Sequence, residues 1–458
     1  MLGHAKCSLL RRLFRMPSEL KQLSQHIPAA AGVPVRGMQQ NVHSKRKPFH
    51  LEEPKIRSEF DLAGRSTYLR VNVEAIWHNI KTLKSRCSDH TEVIAVVKGN
   101  AYGHGSVGVC KYLRKCGIRH FAVATALEGR ELREHGMDGL IQVFGNCMPE
   151  DINGMLAYGL TPTSTSIGFL NEWAFRSGLA RSSGIPLCVG ENDFHPQVIV
   201  KVDSGMSRNG CQIEELPALM EACDSQDIPV HSIMTHFAQS WDDPEFTQGQ
   251  LDKFLKAAAP FRSRGIKVHA ANSAAIIKGY GTDLDYVRPG ISMYGLAPDG
   301  TKETASAMQS LGFKPAVSWI ARPVDIKLLQ PGRAVGYDQT HRVKKPEWIA
   351  TFSFGYADGY NRLLSGSGCL TDEQGNAFPV VGRVSMDAIT AKVDENVTQD
   401  TVFHVIRNDY TSPNSASNMA DTLRTIPYEI GTSLAARLPR LFVTSDDDFS
   451  QEKPDVYY

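Results

Sequence analysis

Between Val93 and Gly295 the chain repeats one short pattern eight times. Apolar or β-rich segments recur at VIAVVK (93–98), FAVATA (121–126), LIQVF (140–144), LTPTS (160–164), VIVKVD (198–203), VHSIMTHF (230–237), VHAANS (268–273) and YVRPGISMYG (286–295). Stretches with helical spacing, such as CKYLRKCG, ALEGRELREHG and IEELPALMEACDS, lie between most of them. Unbroken apolar runs suit strands covered on both faces, and strand–helix alternation calls for a parallel sheet. Eight such units predict a closed (β/α)8 TIM-type barrel. LTPTS is the weakest of the eight, being short and carrying Pro162.

After Gly295 the texture changes. From about Phe313 to Val443 the segments are short, β-rich and separated by turns, with helical signal only in ASNMADTLR and TSLAARLPRLF. The expected plan is a barrel over residues 66–310 and a mostly antiparallel β-domain over 311–445, with an acidic tail at 446–458. The strand TYLRVNV falls within the barrel span, ahead of the repeats, with membership of the β-domain as the alternative.

Residues 1–60 stand apart. Nine Lys or Arg face a single acidic residue, Glu19, between Met1 and His50, and SLLRRLFR is basic and amphipathic. Such a segment reads as an organelle transit peptide, mitochondrial or other, or as a basic extension with no address on a cytoplasmic protein. Nine cysteines, an odd number without CxxC spacing, suit reduced thiols inside a cell, and no metal site is expected. A net charge of +1 favours neither nucleic acid nor an anionic membrane, and no apolar run reaches the ~20 residues of a membrane span.

The chemically capable residues are not scattered over the repeats. Lys98 closes the first segment, Lys201 and Asp203 the fifth, His236 the sixth, Asn272 and Ser273 the seventh, and Arg288 lies in the eighth. Carboxyl ends of barrel strands converge on one mouth, where barrels place their chemistry. Around Lys98 the run EVIAVVKGNAYGHG packs three glycines, Asn100, Tyr102 and His104 behind the lysine. A lysine in a partly dry pocket loses proton affinity and becomes a nucleophile able to form a Schiff base. Glycines leading into a helix start suit an anion such as phosphate.

This stretch resembles, nearly residue for residue, the pyridoxal-lysine signature of the alanine racemase family, AVVKxNAYGHG. VRPGISMYGLAP, IPYEIGTSLAARLPR, VGRVSMD and FGYADGY resemble further motifs of that family, and the likeness spans roughly residues 66 to 443. It implies a pyridoxal 5′-phosphate enzyme that interconverts L- and D-alanine. Lys98 would carry the cofactor. Tyr102, Ser273, Gly290, Ile291 and Tyr428 would hold its phosphate, with Asn272 beside them. Arg288 would meet the ring nitrogen and, having only donors, leave it unprotonated. Arg208 would contact the cofactor's phenolic oxygen, oriented by Lys201, a lysine open to carbamylation.

Racemisation takes a proton from one face of the α-carbon and delivers one to the other, which two opposed bases accomplish without turning the substrate. The resemblance implies Lys98 and Tyr337 for these roles. A tyrosine ordinarily titrates near ~10, so it needs positive neighbours; the resemblance implies His236, bonded to Arg288, as that contact. Met386 and Arg208 would meet the substrate, with Tyr356 near the pocket mouth. Tyr337, Tyr356 and Met386 lie in the β-domain and Lys98 in the barrel, and the resemblance implies a head-to-tail homodimer with shared sites. The run after Tyr337 departs from the family's usual YGxTY: Asp338 stands for a glycine and His341 for a tyrosine. This alters the surroundings of the base and leaves serine as a second substrate beside alanine. Two rival readings are an amino-acid decarboxylase of the same plan and a non-catalytic carrier of pyridoxal phosphate. The first lacks its glycine-triplet phosphate loop and an acidic partner for the ring nitrogen. The second would be a lone barrel.

Overall fold

The computed structural model describes residues 58–145, 147–184, 188–189, 192–444 and 456–457. Almost all of the basic segment read as a transit peptide, and most of the acidic tail, lie outside these residues.

Eight parallel strands close into a barrel in chain order: Glu92–Val96, His120–Val123, Leu140–Val143, Thr161–Ser164, Val198–Lys201, Val230–Met234, Lys267–His269 and Tyr286–Val287. The eighth pairs with the first through Tyr286 opposite Glu92 and Val287 opposite Val93. The fourth strand holds despite its proline. All four of its residues are buried, Pro162 stands opposite Val143, and Thr163 and Ser164 pair with Ile199 and Val200.

Local signals place the helices. Asn72 caps Val73–Lys84 by accepting the Ala75 N–H at 2.8 Å. Thr125 and Glu128 form a reciprocal capping box on Ala126–Glu134. Ser106–Lys115 buries Val107, Val109, Cys110 and Leu113 on the barrel, a spacing that puts them on one helical face.

The strands are shorter than the sequence suggests. The first stops at Val96, not Lys98, and Arg288 stands one residue past the eighth. Single backbone bonds continue the ladder beyond these limits: Val96 N–H to Pro289, Val97 N–H to Ala122 and Arg288 N–H to Ala271. Polar residues at the mouth therefore keep barrel spacing while their side chains turn inward.

The second half is built from sheets. A seven-stranded sheet includes Cys369–Asp372, Phe403–Ile406, Val317–Ala321 and Arg440–Val443, and a three-stranded antiparallel sheet joins Asp325–Leu329, Glu347–Phe352 and Ile389–Val393. The strand Thr67–Asn72 belongs to the first of these, between Val317–Ala321 (antiparallel) and Arg440–Val443 (parallel). Trp319, Phe352, Phe354, Tyr360 and Phe403 fill the core as tilted and edge-to-face pairs, with centroids 4.9 Å apart for Trp319–Phe354 and 5.2 Å for Phe352–Phe403. Among the described residues no helix is long and apolar enough to cross a membrane.

Candidate active site

A cavity of about 760 Å³ opens at the carboxyl ends of the barrel strands. Lys98, Tyr102, Lys201, Arg208, His236, Asn272, Ser273, Arg288, Gly290, Ile291 and Tyr428 all line it. Barrel closure gathers Lys98 through Ile291 onto one concave wall, and the helix Pro427–Thr432 adds Tyr428 from 330 positions beyond Lys98.

The wall is strongly cationic. Burial, then the neighbouring Arg208, lowers the proton affinity of Lys98, with Glu128 acting in the opposite sense. Burial, then Arg208 and Arg288, brings Lys201 down to about 8. Burial lowers Arg288 to about 9, so it stays a cation at neutral pH. Burial and then Arg288 hold His236 well below the ordinary histidine range, so it is neutral. Lys201 also bonds the Asn209 amide, and Asp203 accepts the backbone N–H groups of Gly205, Met206 and Ser207 at 2.9–3.0 Å. That loop carries Arg208.

Arg288 is held from behind. Its Nη2 donates to the carbonyls of Thr235 (2.7 Å) and Ala270 (2.8 Å) and lies 3.4 Å from Nδ1 of His236. Its Nη1 donates to Nδ1 of His269 at 2.8 Å. Arginine has no acceptor, so His269 accepts on Nδ1 and carries its proton on Nε2. That proton goes to Ser232 Oγ, 3.0 Å away, and Ser232 in turn reaches Nδ1 of His231 at 3.1 Å. A polar chain therefore descends from Arg288 through the interior of the barrel.

Hydroxyls and backbone amides crowd the opposite end. Ser273 Oγ accepts from the N–H groups of Gly290 (2.9 Å) and Ser292 (3.3 Å). The rings of Tyr102 and Tyr428 lie 5.9 Å apart. A Cβ at Gly290 would stand 2.6 Å from the Tyr102 hydroxyl, so only glycine leaves that space open. Asn272 caps the helix Ser273–Lys278 through the Ala275 N–H and accepts from Ser240 Oγ at 3.0 Å.

Three site residues named from sequence are elsewhere. Tyr337, Tyr356 and Met386 do not line the cavity and are 70 %, 43 % and 54 % exposed. Their loops are nevertheless built. Asp338, at φ +58, pairs with Arg383 at 3.1 Å, and His341 meets Glu347 at 2.8 Å. The N–H of Tyr356 bonds the Ser385 carbonyl and that of Ala357 the Met386 carbonyl. The fully buried carboxylate of Asp358 ties this turn to Arg65 and Arg437, and Arg437 reaches on to Asp387.

Sequence reasoning missed residues that act behind the wall. His269 is one; a histidine within the apolar VHAA run was the available signal. Glu128 is another. One of its oxygens accepts the Gly99 N–H beside Lys98 and the other the N–H groups of Ala124 and Thr125. Its capping spacing from Thr125 was legible, its reach to Gly99 was not.

Residues 71–298 match the family model for the N-terminal domain of alanine racemase, and residues 316–442 that for its C-terminal domain. The chain is 35% identical over 389 residues to an alanine racemase of Carboxydothermus hydrogenoformans, covering 83% of this chain and 100% of that one. With an alanine racemase of Halothermothrix orenii it shares 33% over 387 residues, covering 82% and 96%. Among solved structures it is similar to alanine racemase from Bacillus anthracis with bound L-Ala-P (TM-score 0.72, 31% identity, 83% and 95% coverage). It is also similar to alanine racemase from Bartonella henselae with covalently bound pyridoxal phosphate (TM-score 0.69, 28% identity, 82% and 99% coverage).

Proposed function

The chain belongs to the alanine racemase family, and we propose that it interconverts L- and D-alanine using pyridoxal 5′-phosphate held in the barrel cavity. The observation that carries this reading is the single wall joining Lys98, Arg208 and Arg288 to the hydroxyl and amide cluster at Ser273, Tyr102 and Gly290. That donor set fits the group: a dianion suits hydroxyls and backbone N–H groups, an aldehyde suits a depressed lysine, and a ring nitrogen suits an obligate donor. Tyr102, Ser273, Gly290, Ile291 and Tyr428 would hold the phosphate, Arg208 the phenolic oxygen and Arg288 the ring nitrogen. Bound there, pyridoxal phosphate supplies an electron sink that makes the α-proton of an attached amino acid removable.

The chain's own residues then move the proton. Lys98, its proton affinity lowered by burial and Arg208, is the base on one face. Tyr337 of a second copy is the base on the other. Its exposure, together with that of Tyr356 and Met386, is the surface that a head-to-tail dimer would bury over the cavity mouth. Met386 would present its backbone to the substrate carboxylate, and neutral His236 would pass the positive field of Arg288 toward Tyr337. Lys201, near 8, has enough free amine at neutral pH to take up carbon dioxide as a carbamate that orients Arg208. Asp338 and His341 reshape the loop of the second base, and serine is the second substrate.

Proton exchange in D₂O tests the reading. Purified protein with pyridoxal phosphate is given L-alanine, then L-serine, and followed by NMR and chiral chromatography. The α-proton signal should vanish as the D form grows, fastest for alanine. Exchange without the D form would leave only one working base. No exchange on either substrate would defeat the assignment.

A further inference from the structure

Lys98 leaves the first barrel strand onto a turn the chain does not make unaided. Gly99 takes φ +62 readily, but Asn100, Ala101 and Tyr102 sit at φ 53, 54 and 53, where a Cβ crowds the backbone. Consecutive residues persist there only when their surroundings over-determine them. Most of the turn's carbonyls find backbone donors: Val97 accepts from Ala101, Gly99 from Gly103, Asn100 from Gly105 and Ala101 from the His104 N–H at 3.0 Å, which leaves the Tyr102 carbonyl to the His104 side chain. The Gly103 carbonyl takes Nε of Arg440 at 2.9 Å.

The Ala101 and Tyr102 carbonyls both point at Nδ1 of His104, each at 3.1 Å. Both atoms only accept, so the proton resides on Nδ1. Nε2 is then an acceptor, and it is buried without a partner. The ring is fully buried against Tyr294, with centroids 4.5 Å apart, and the Tyr294 hydroxyl donates to the Val96 carbonyl at the end of the strand. Burial takes His104 down to about 4, so the ring is neutral at pH 7. It does not line the cavity. An unpartnered nitrogen in the core is unfavourable, and phenylalanine would fill the same space without it. What histidine adds is the Nδ1–H.

We propose that His104 is a positioning residue: its one N–H, shared between the Ala101 and Tyr102 carbonyls, holds the left-handed turn that aims Lys98 and the Tyr102 hydroxyl into the cavity. The inference rests on the reading of the cavity as a pyridoxal phosphate site.

Two substitutions separate aim from stability. His104→Phe keeps the ring and removes the orphan nitrogen; His104→Asn shrinks the side chain but places an amide N–H where Nδ1 stood. The Phe variant should melt within a few degrees of wild type yet bind pyridoxal phosphate about tenfold or more weakly, with the lysine-bound absorption band reduced. The Asn variant should melt lower and recover most of the affinity. Hydrogen exchange on the cofactor-free protein should reveal lost protection confined to residues 98–105 in Phe and its return in Asn. Wild-type affinity and protection in the Phe variant would overturn the proposal, as would affinity that follows melting temperature across both. Wild-type protein that fails to bind pyridoxal phosphate would defeat the cofactor reading, and the exchange pattern would still decide the role of His104.

Discussion

Gly103→Ala tests how tightly the lysine turn is seated. Gly103 stands at φ +85, and a Cβ there would lie 1.9 Å from the Gly431 carbonyl oxygen and 2.8 Å from its carbon. Both atoms are backbone, in the helix Pro427–Thr432 that carries Tyr428, so no side-chain rotation relieves the clash. Ordinary contact needs about 3.4 Å, so turn and helix must separate by roughly 1.5 Å. The left-handed backbone should cost ~1–2 kcal/mol and the forced contact ~1–3 kcal/mol more. Displacement of catalytic groups by about 1 Å can lower turnover about 10²-fold. Gly117→Ala is the control: φ is +97, nothing lies within 4 Å, and only the backbone strain applies. The assay is apo-protein denaturation by circular dichroism, with kcat/KM for L-alanine. Gly103→Ala should lose more stability than Gly117→Ala, and activity about 10²-fold, while Gly117→Ala keeps its activity. Equal stability losses with near-wild-type kcat/KM would refute the claim that this glycine-on-glycine contact seats the lysine.

Shared sites make a sharper prediction than dimerisation. Lys98→Ala and Tyr337→Phe proteins should each be inactive, and a refolded mixture should regain activity, because the proposed head-to-tail mixed dimer would hold one site with both bases intact; no recovery would refute the shared site. Acid should destabilise the fold by a known sign. His104, His231 and His404 are held near about 4 by burial first, so the unfolded chain binds their protons below about 6.5 and the native chain does not. Stability should therefore fall as pH drops from about 6.5 toward 4, by on the order of 1 kcal/mol for fully buried His104 at about pH 5.5; a denaturation midpoint unchanged between pH 7.5 and 5.5 would contradict it.

The barrel was legible because its eight strands are local apolar or β-rich runs at regular spacing, and even Pro162 did not hide the fourth. Strand limits were less legible, since Val97 and Arg288 keep single ladder bonds beyond the last paired residues. The left-handed turn at Asn100–Tyr102 could not be read from backbone preference. Three of its residues carry a Cβ, and the groups that hold it come from His104, Glu128 and, 337 positions away, Arg440. His269 was equally hidden, because it meets Arg288 only once the seventh and eighth strands stand side by side. The loops of Tyr337 and Met386 were found through resemblance. Their exposure in a single chain is something only the folded surface displays.

The strand Thr67–Asn72 has a consequence for how the chain is made. Thr67 Oγ1 bonds the Ile320 carbonyl, 253 positions downstream, and the parallel partner of this strand is Arg440–Val443. On the ribosome, this strand, the first among the described residues, must wait through synthesis of the whole barrel before either neighbour exists. Closing so long a loop is entropically unfavourable until the barrel has shortened the distance. The barrel would then fold before the sheet, which is completed only when Arg440–Val443 arrives beside Thr67–Asn72. Expressed alone, residues 311–445 would lack an interior strand and expose two unpaired edges, an invitation to aggregate.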